Sequence, residues 1–314
     1  MQYPPAILVM VVGVVWLLAR RNRSAASAQP VLARQISVFG SLAVLVPFLV
    51  VFFLPVLYLA ERLVPGLRIP SAEPFSYVWW NYPLPVAAAI VTMVVALVSL
   101  RRTVSTPEVP VVPIAPRGWR TFTSRRELTA AIVSAAVLIA TSVIAGLASV
   151  TDESGLHTLI EMPGPTLETG ESHGVATFYG WAYSVPVMLG VLVLSLLAWQ
   201  ALRASALPAF RRPDTVETES IERRQIASAI VRLYTAAVLL PLGGAFIQIG
   251  GAGMGSTGIG IPGVGDFMWS LGYASFAPAI QTFGYLIQIY GMFILVRAIL
   301  APRTRAVVLE PAVL

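Results

Sequence analysis

Cysteine and lysine are both missing from the 314-residue sequence. Without thiols there can be no disulfide, Fe–S cluster, thiolate zinc site or thiol nucleophile, and the redox compartment leaves no trace. All 21 basic residues are arginine, which removes Schiff-base and P-loop lysine chemistry, retinal attachment included. Charge is scarce as well. Only 11% of residues are charged and 57% are hydrophobic, whereas soluble domains carry about 25% charged residues. With a mean hydropathy of +0.78, such a chain cannot cover a water-facing surface, and it reads as an integral membrane protein.

The apolar residues fall into uncharged blocks at 2–19, 36–60, 77–100, 128–150, 174–202, 233–252 and 267–296. A helix needs about 17 to 25 residues to cross a hydrocarbon core of roughly 30 Å. The expected fold class is therefore an all-α integral membrane protein of seven transmembrane helices, forming a single polytopic domain over 1–314. In the first block the positive charge (Arg20, Arg21 and Arg23) follows the apolar run, the reverse of a cleavable signal peptide. That block is expected to stay as a helix with its N-terminus outside.

The arginines fix the orientation. Segments 20–35, 101–127, 203–225 and 297–314 carry four, six, five and three of them, while the loops between carry only Arg62 and Arg68 and Arg232 sits at an inner edge. Cytoplasmic loops collect arginine and translocated loops do not, so the C-terminus is expected in the cytoplasm, the protein in the cell membrane. The basic balance of +6 follows from this pattern and does not point to nucleic acid. Aromatic clusters such as Tyr77 to Tyr82, Phe178 to Tyr183 and Trp269 to Phe276 open the third, fifth and seventh blocks, where a headgroup belt would put them.

A repeat is also suggested. Tyr3-Pro4-Pro5, Tyr82-Pro83-Leu84-Pro85, Tyr183-Ser184-Val185-Pro186 and Phe276-Ala277-Pro278 open the odd blocks, and Arg34-Gln35-Ile36, Arg126-Glu127-Leu128 and Arg224-Gln225-Ile226 the even ones. Helix hairpins repeated about the membrane normal would give this pattern; interfacial preferences alone are the alternative.

Reactive groups are confined to the acidic outer loop 151–173, which holds both histidines and five carboxylates. His157 and Glu161, at i and i+4, would share a helical face, and with His173 they are the metal candidates. Zinc takes three or four ligands, but Pro163, Gly164, Pro165 and Gly170 intervene, so a flexible, solvated loop is the preferred reading. The blocks themselves contain no Asp, Glu, Arg or His. Proton relays, voltage sensors and haem ligation need such groups inside the bilayer, which disfavours proton-coupled transport and leaves no expected cofactor or catalytic residue. A Na⁺ site of carbonyls and hydroxyls is left open.

Two features suggest either packing or a path. The outer loop 250–265 has eight glycines in sixteen positions and reads as a linker or packed loop, or else as a re-entrant pore element. Gln248 on the sixth block and Gln281, Tyr285 and Gln288 on the seventh are the polar residues to watch; the last three step by four and three and so share one face. Amides commonly join membrane helices, and Gly243, Gly244, Gly284 and Gly291 offer smooth surfaces for close approach. Two functions follow. The first is a non-catalytic membrane subunit or accessory protein, its contacts the lipid bilayer and a membrane-protein partner or second copy. The second is a permease or channel for a neutral solute or lipid, with a path near the sixth and seventh helices.

Overall fold

The computed structural model describes residues 32–46, 81–102, 118–167, 170–210, 213, 215–261 and 265–300. The expected first span, the second from residue 47 onward, the start of the third and the C-terminal tail lie outside them. The described helices are α1 (Leu32–Val46), α2 (Leu84–Arg102), α3 (Arg125–Leu147), α4 (Trp181–Ala206), α5 (Val216–Gly253) and α6 (Ala277–Leu300). Five of them, α2 to α6, are long and apolar enough to cross a membrane. The protein is mostly helical and of the multi-pass membrane type.

The helices form a bundle around α5. Of its apolar stretch 78% is buried, against 28–39% for the other four, so α5 is the axis that its neighbours surround. Val238, Ala236, Ala237, Ala245 and Ile230 on α5 are completely enclosed. The outer helices instead turn large apolar side chains outward, Val91, Ile144 and Leu189 being more than half exposed. Surfaces of this extent belong against lipid or other helices, not water.

Helix lengths agree with one slab. Arg232 to Gly253 on α5, Glu127 to Leu147 on α3 and Ala277 to Arg297 on α6 each rise about 30 Å at 1.5 Å per residue. The basic ends of α2, α4 and α6 and the starts of α3 and α5 gather at one end of the bundle.

At the opposite end a β-structured cap is added to the mostly helical, membrane-type bundle. Strands β1 (Val150–Thr151), β2 (His157–Leu167) and β3 (Gly170–Thr177) form an antiparallel meander, and β4 (Ser256–Ile261) pairs with β5 (Gly265–Ser270). The two sheets clamp each other: Trp269 Nε1 donates to the Met162 carbonyl oxygen at 3.0 Å, and Gly174 lies so close under Thr257 that no side chain fits between them. The loop expected to be flexible is thus a paired sheet with register Leu159↔Thr177 through Leu167↔Gly170. Its sequence carries the two-residue period of a strand, with Thr158 and Met162 buried and Glu161 exposed. Uncharged blocks also overran their helices for this reason. Residues 174–177 belong to β3 and 267–270 to β5, because aromatic and small residues satisfy an interfacial strand as readily as a span. Of the glycine-rich segment 250–265, the first four residues finish α5 and most of the remainder builds the β4–β5 hairpin. At the basic end α5 begins at Val216, so the mixed-charge run before the sixth block extends that helix, as its composition allowed.

Candidate functional site

Of the four polar residues singled out in the sixth and seventh blocks, Gln281 and Gln288 meet α5 across the seam between α5 and α6, which is built on glycine. A side-chain carbon added at Gly284 would stand 2.7 Å from the Gly243 carbonyl oxygen and 2.7 Å from the Ile247 amide nitrogen. Backbone therefore meets backbone, an approach only small residues allow. Gln288 crosses this seam, its Nε2 donating to the Leu240 carbonyl oxygen at 3.4 Å, a long bond. Gln281 packs its backbone and Cβ against Gly250, and Tyr285 is half-buried on the same helix face.

Gln248 looks elsewhere. Its Oε1 accepts a hydrogen bond from the Tyr82 hydroxyl at the head of α2. The Tyr82 ring also lies over Gly244, beside Gln288 Nε2, so the two glutamine amides and the phenol share one locality. Gln248 Nε2 and, nearby in sequence to Tyr82, Asn81 Oδ1 are buried without a protein partner among the described residues. Tyr82 in turn packs on Tyr179 and Tyr183, with ring centroids 5.2 Å away in both cases, while Tyr179 and Tyr183 stack at 6.3 Å. These two rings were expected in a headgroup belt. They are instead fully enclosed beneath the cap, and burial pushes the Tyr179 phenol well above its ordinary range, the neighbouring Ser142 hydroxyl opposing. Tyr273 joins the cap to α5 by donating its hydroxyl to the Ile249 carbonyl oxygen at 3.0 Å, and burial pushes it up to about 12.

The metal candidates do not converge. His157 pairs with Thr151 on β1 and His173 with Pro163 on β2. Six residues of strand, about 20 Å at 3.3 Å per residue, separate positions 157 and 163. Glu161 lies between them, four residues from His157 rather than one helical turn away. His157 is used structurally: Nδ1 donates to the Ser149 carbonyl oxygen at 3.1 Å, and its own carbonyl packs on Gly180. Among the described residues no three His, Asp or Glu side chains come close enough to hold a metal.

The basic end holds contacts that sequence reasoning missed. Arg223 of α5, only 9% exposed, reaches the C-terminus of α4, donating to the Pro208 carbonyl oxygen at 2.6 Å and to that of Ala209 at 3.1 Å. Glu219 lies 3.5 Å from the same guanidinium, and Phe210 stacks under it at 4.6 Å. The Nη1 that donates to Pro208 also lies 3.4 Å from the Ala206 carbonyl oxygen, one of those that the end of α4 leaves open, so one fork ties the segment after α4 to α5. Glu127 of α3 accepts on one oxygen from Arg232 Nε at 2.9 Å and from Ser228 Oγ at 3.0 Å, both on α5. Arg232 was legible as the arginine at the inner edge of the sixth block; its partner was not, because it lies 105 residues away.

Comparison with known proteins adds no relative: no family model, no curated protein and no solved structure matches the chain.

Proposed function

We propose that the chain is a non-catalytic subunit or accessory protein of the cell membrane, whose apolar outer faces pack against lipid and against a partner membrane protein or a second copy. The seam between α5 and α6 carries this reading. These are the helices near which the alternative reading put a solute path, and they meet backbone to backbone at Gly243 and Gly284 with Gln288 bonded across. Polar groups used in this way join helices instead of wetting a channel. The seven-helix layout with the N-terminus outside and the C-terminus cytoplasmic belongs to the same proposal, supported by the gathering of arginines at one end of the bundle; so does a repetition of helix hairpins, for which Arg224-Gln225-Ile226 stands inside α5, where its near-continuous burial begins.

The second reading, a permease or channel for a neutral solute or lipid, draws on Gln248 Nε2 and Asn81 Oδ1, buried polar atoms with no protein partner among the described residues. Purification in mild detergent separates the two. The first reading expects a stoichiometric co-purifying membrane chain, and slow reaction of cysteines placed at positions 281 and 288 with water-soluble thiol reagents. A lone homo-oligomer that passes solute in liposomes and labels fast at both positions would replace it with the second.

A further inference from the structure

The neighbouring helices α2 and α4 run in the same direction and end together. Arg101 in the last turn of α2 donates from Nη2 to Gln200 Oε1 on α4 at 3.2 Å. Three residues on, Arg203 in the last turn of α4 holds its guanidinium 5.7 Å from the Trp199 ring centroid. Both arginines are exposed, and among the described residues neither has a carboxylate within ion-pair distance. In that they differ from Arg223 and Arg232, each of which has one.

Below the two guanidiniums the surface turns apolar at once. Val98 lies one turn from Arg101 and is 42% exposed, while Trp199 and Leu196 follow Arg203 at steps of four and three and are 41% and 53% exposed. Each set shares the face of its arginine. Two positive charges with no carboxylate beside them among the described residues, an indole at the boundary and apolar ridges running inward are complementary, in order, to the phosphate, glycerol level and acyl chains of one lipid. Guanidinium forks suit phosphate oxygens bidentately, and basic pockets between membrane helices are suited to anionic headgroups.

We infer that the joined ends of α2 and α4 form a binding site for an anionic phospholipid, with Arg101 and Arg203 on the phosphate, Gln200 holding Arg101 in place, and Trp199, Leu196 and Val98 against the upper acyl chains. The site rests on the membrane reading of the chain alone. The proposed orientation assigns it to the cytoplasmic leaflet, and reporter fusions test that assignment separately.

The test uses the full chain, purified and delipidated in neutral detergent, with melting followed as phosphatidylglycerol or phosphatidylcholine of equal acyl chains is added. Phosphatidylglycerol should raise the melting temperature of the wild type, and phosphatidylcholine should not. In the R101Q/R203Q variant the apparent affinity for phosphatidylglycerol should fall roughly fivefold per arginine, about twenty-fivefold together. R125Q/R126Q, altered at the exposed start of α3, should bind as the wild type does. A second measurement does not depend on the folding of any variant: in 1 M salt, where the Debye length shrinks to about 3 Å, the wild type should lose its preference for the anionic lipid. Equal binding of both lipids by the wild type, unchanged binding by R101Q/R203Q, or a preference that survives 1 M salt would each overturn the site. Glycerol phosphate competing at parity with the lipid would do so as well, since it would show that the ridges contribute nothing.

Discussion

Four donors converge on the carboxylate of Asp152: the amides of Ser154 and Leu156, each at 2.9 Å, and the hydroxyls of Ser154 at 2.6 Å and Thr158 at 2.7 Å. The Ser154 and Thr158 hydroxyls do most to hold its pKa at about 2, below the ordinary 3.8. Donors aimed at the charged form favour it in the folded state. Asp152 therefore stabilises the turn into β2 at pH values above 3.8, and that contribution is lost as pH falls from there through about 2. Asp152→Asn should speed amide exchange across 152–158 at pH 7 and change little at pH 2. Arg223 is the other residue whose role is fixed by its neighbours. Arg223→Met should cost on the order of 3 kcal/mol by leaving the Pro208 and Ala209 carbonyls without a charged donor. Arg223→Lys should recover only part, because an ammonium cannot fork; chemical unfolding in detergent measures both.

Between elements, close approach does what side-chain volume does elsewhere. Gly284 sits against backbone atoms of Gly243 and Ile247, and backbone cannot swing aside. Gly284→Leu should force α5 and α6 apart and cost about 1 to 3 kcal/mol or more. Gln288→Leu, which removes only the bond to Leu240, should cost at most about 2 kcal/mol. Unfolding in mixed detergent should rank them in that order; a larger loss for Gln288→Leu would mean the amide, not the glycine contact, holds the seam. The polar face of the seventh block and the smooth glycine positions were legible from spacing. That Gly243 faces Gly284, and that Tyr82, in the turn before α2, meets Gln248, was not, since nothing local in the sequence pairs positions 166 residues apart.

For the molecule as a whole, reporters fused after Arg120, at the start of α3, and after Arg297, at the end of α6, should read cytoplasmic. Those fused after Gly164 and Gly260, in the two hairpins of the cap, should read external. An external signal at Arg120 would overturn the orientation and with it the leaflet of the lipid site. The arginine distribution alone supports that prediction, because charge responds to the bilayer residue by residue and needs no knowledge of which helices touch.

The same locality marks what the sequence by itself determined: a membrane-embedded, mostly helical chain, its long apolar helices and the residues on one face of each. The spans follow from the cost of placing charge in hydrocarbon, which each block settles independently. Only the tertiary structure decided that α5 is the buried axis, that 157–167, 170–177, 256–261 and 265–270 are strands clamped into a cap, that Tyr179 and Tyr183 are enclosed by it, and that Arg223 ties α5 to the segment after α4. An uncharged stretch rich in glycine and aromatics meets the needs of helix, strand and loop alike at the membrane boundary. Partners such as Trp269 and Met162, brought together from 107 residues apart, choose among them.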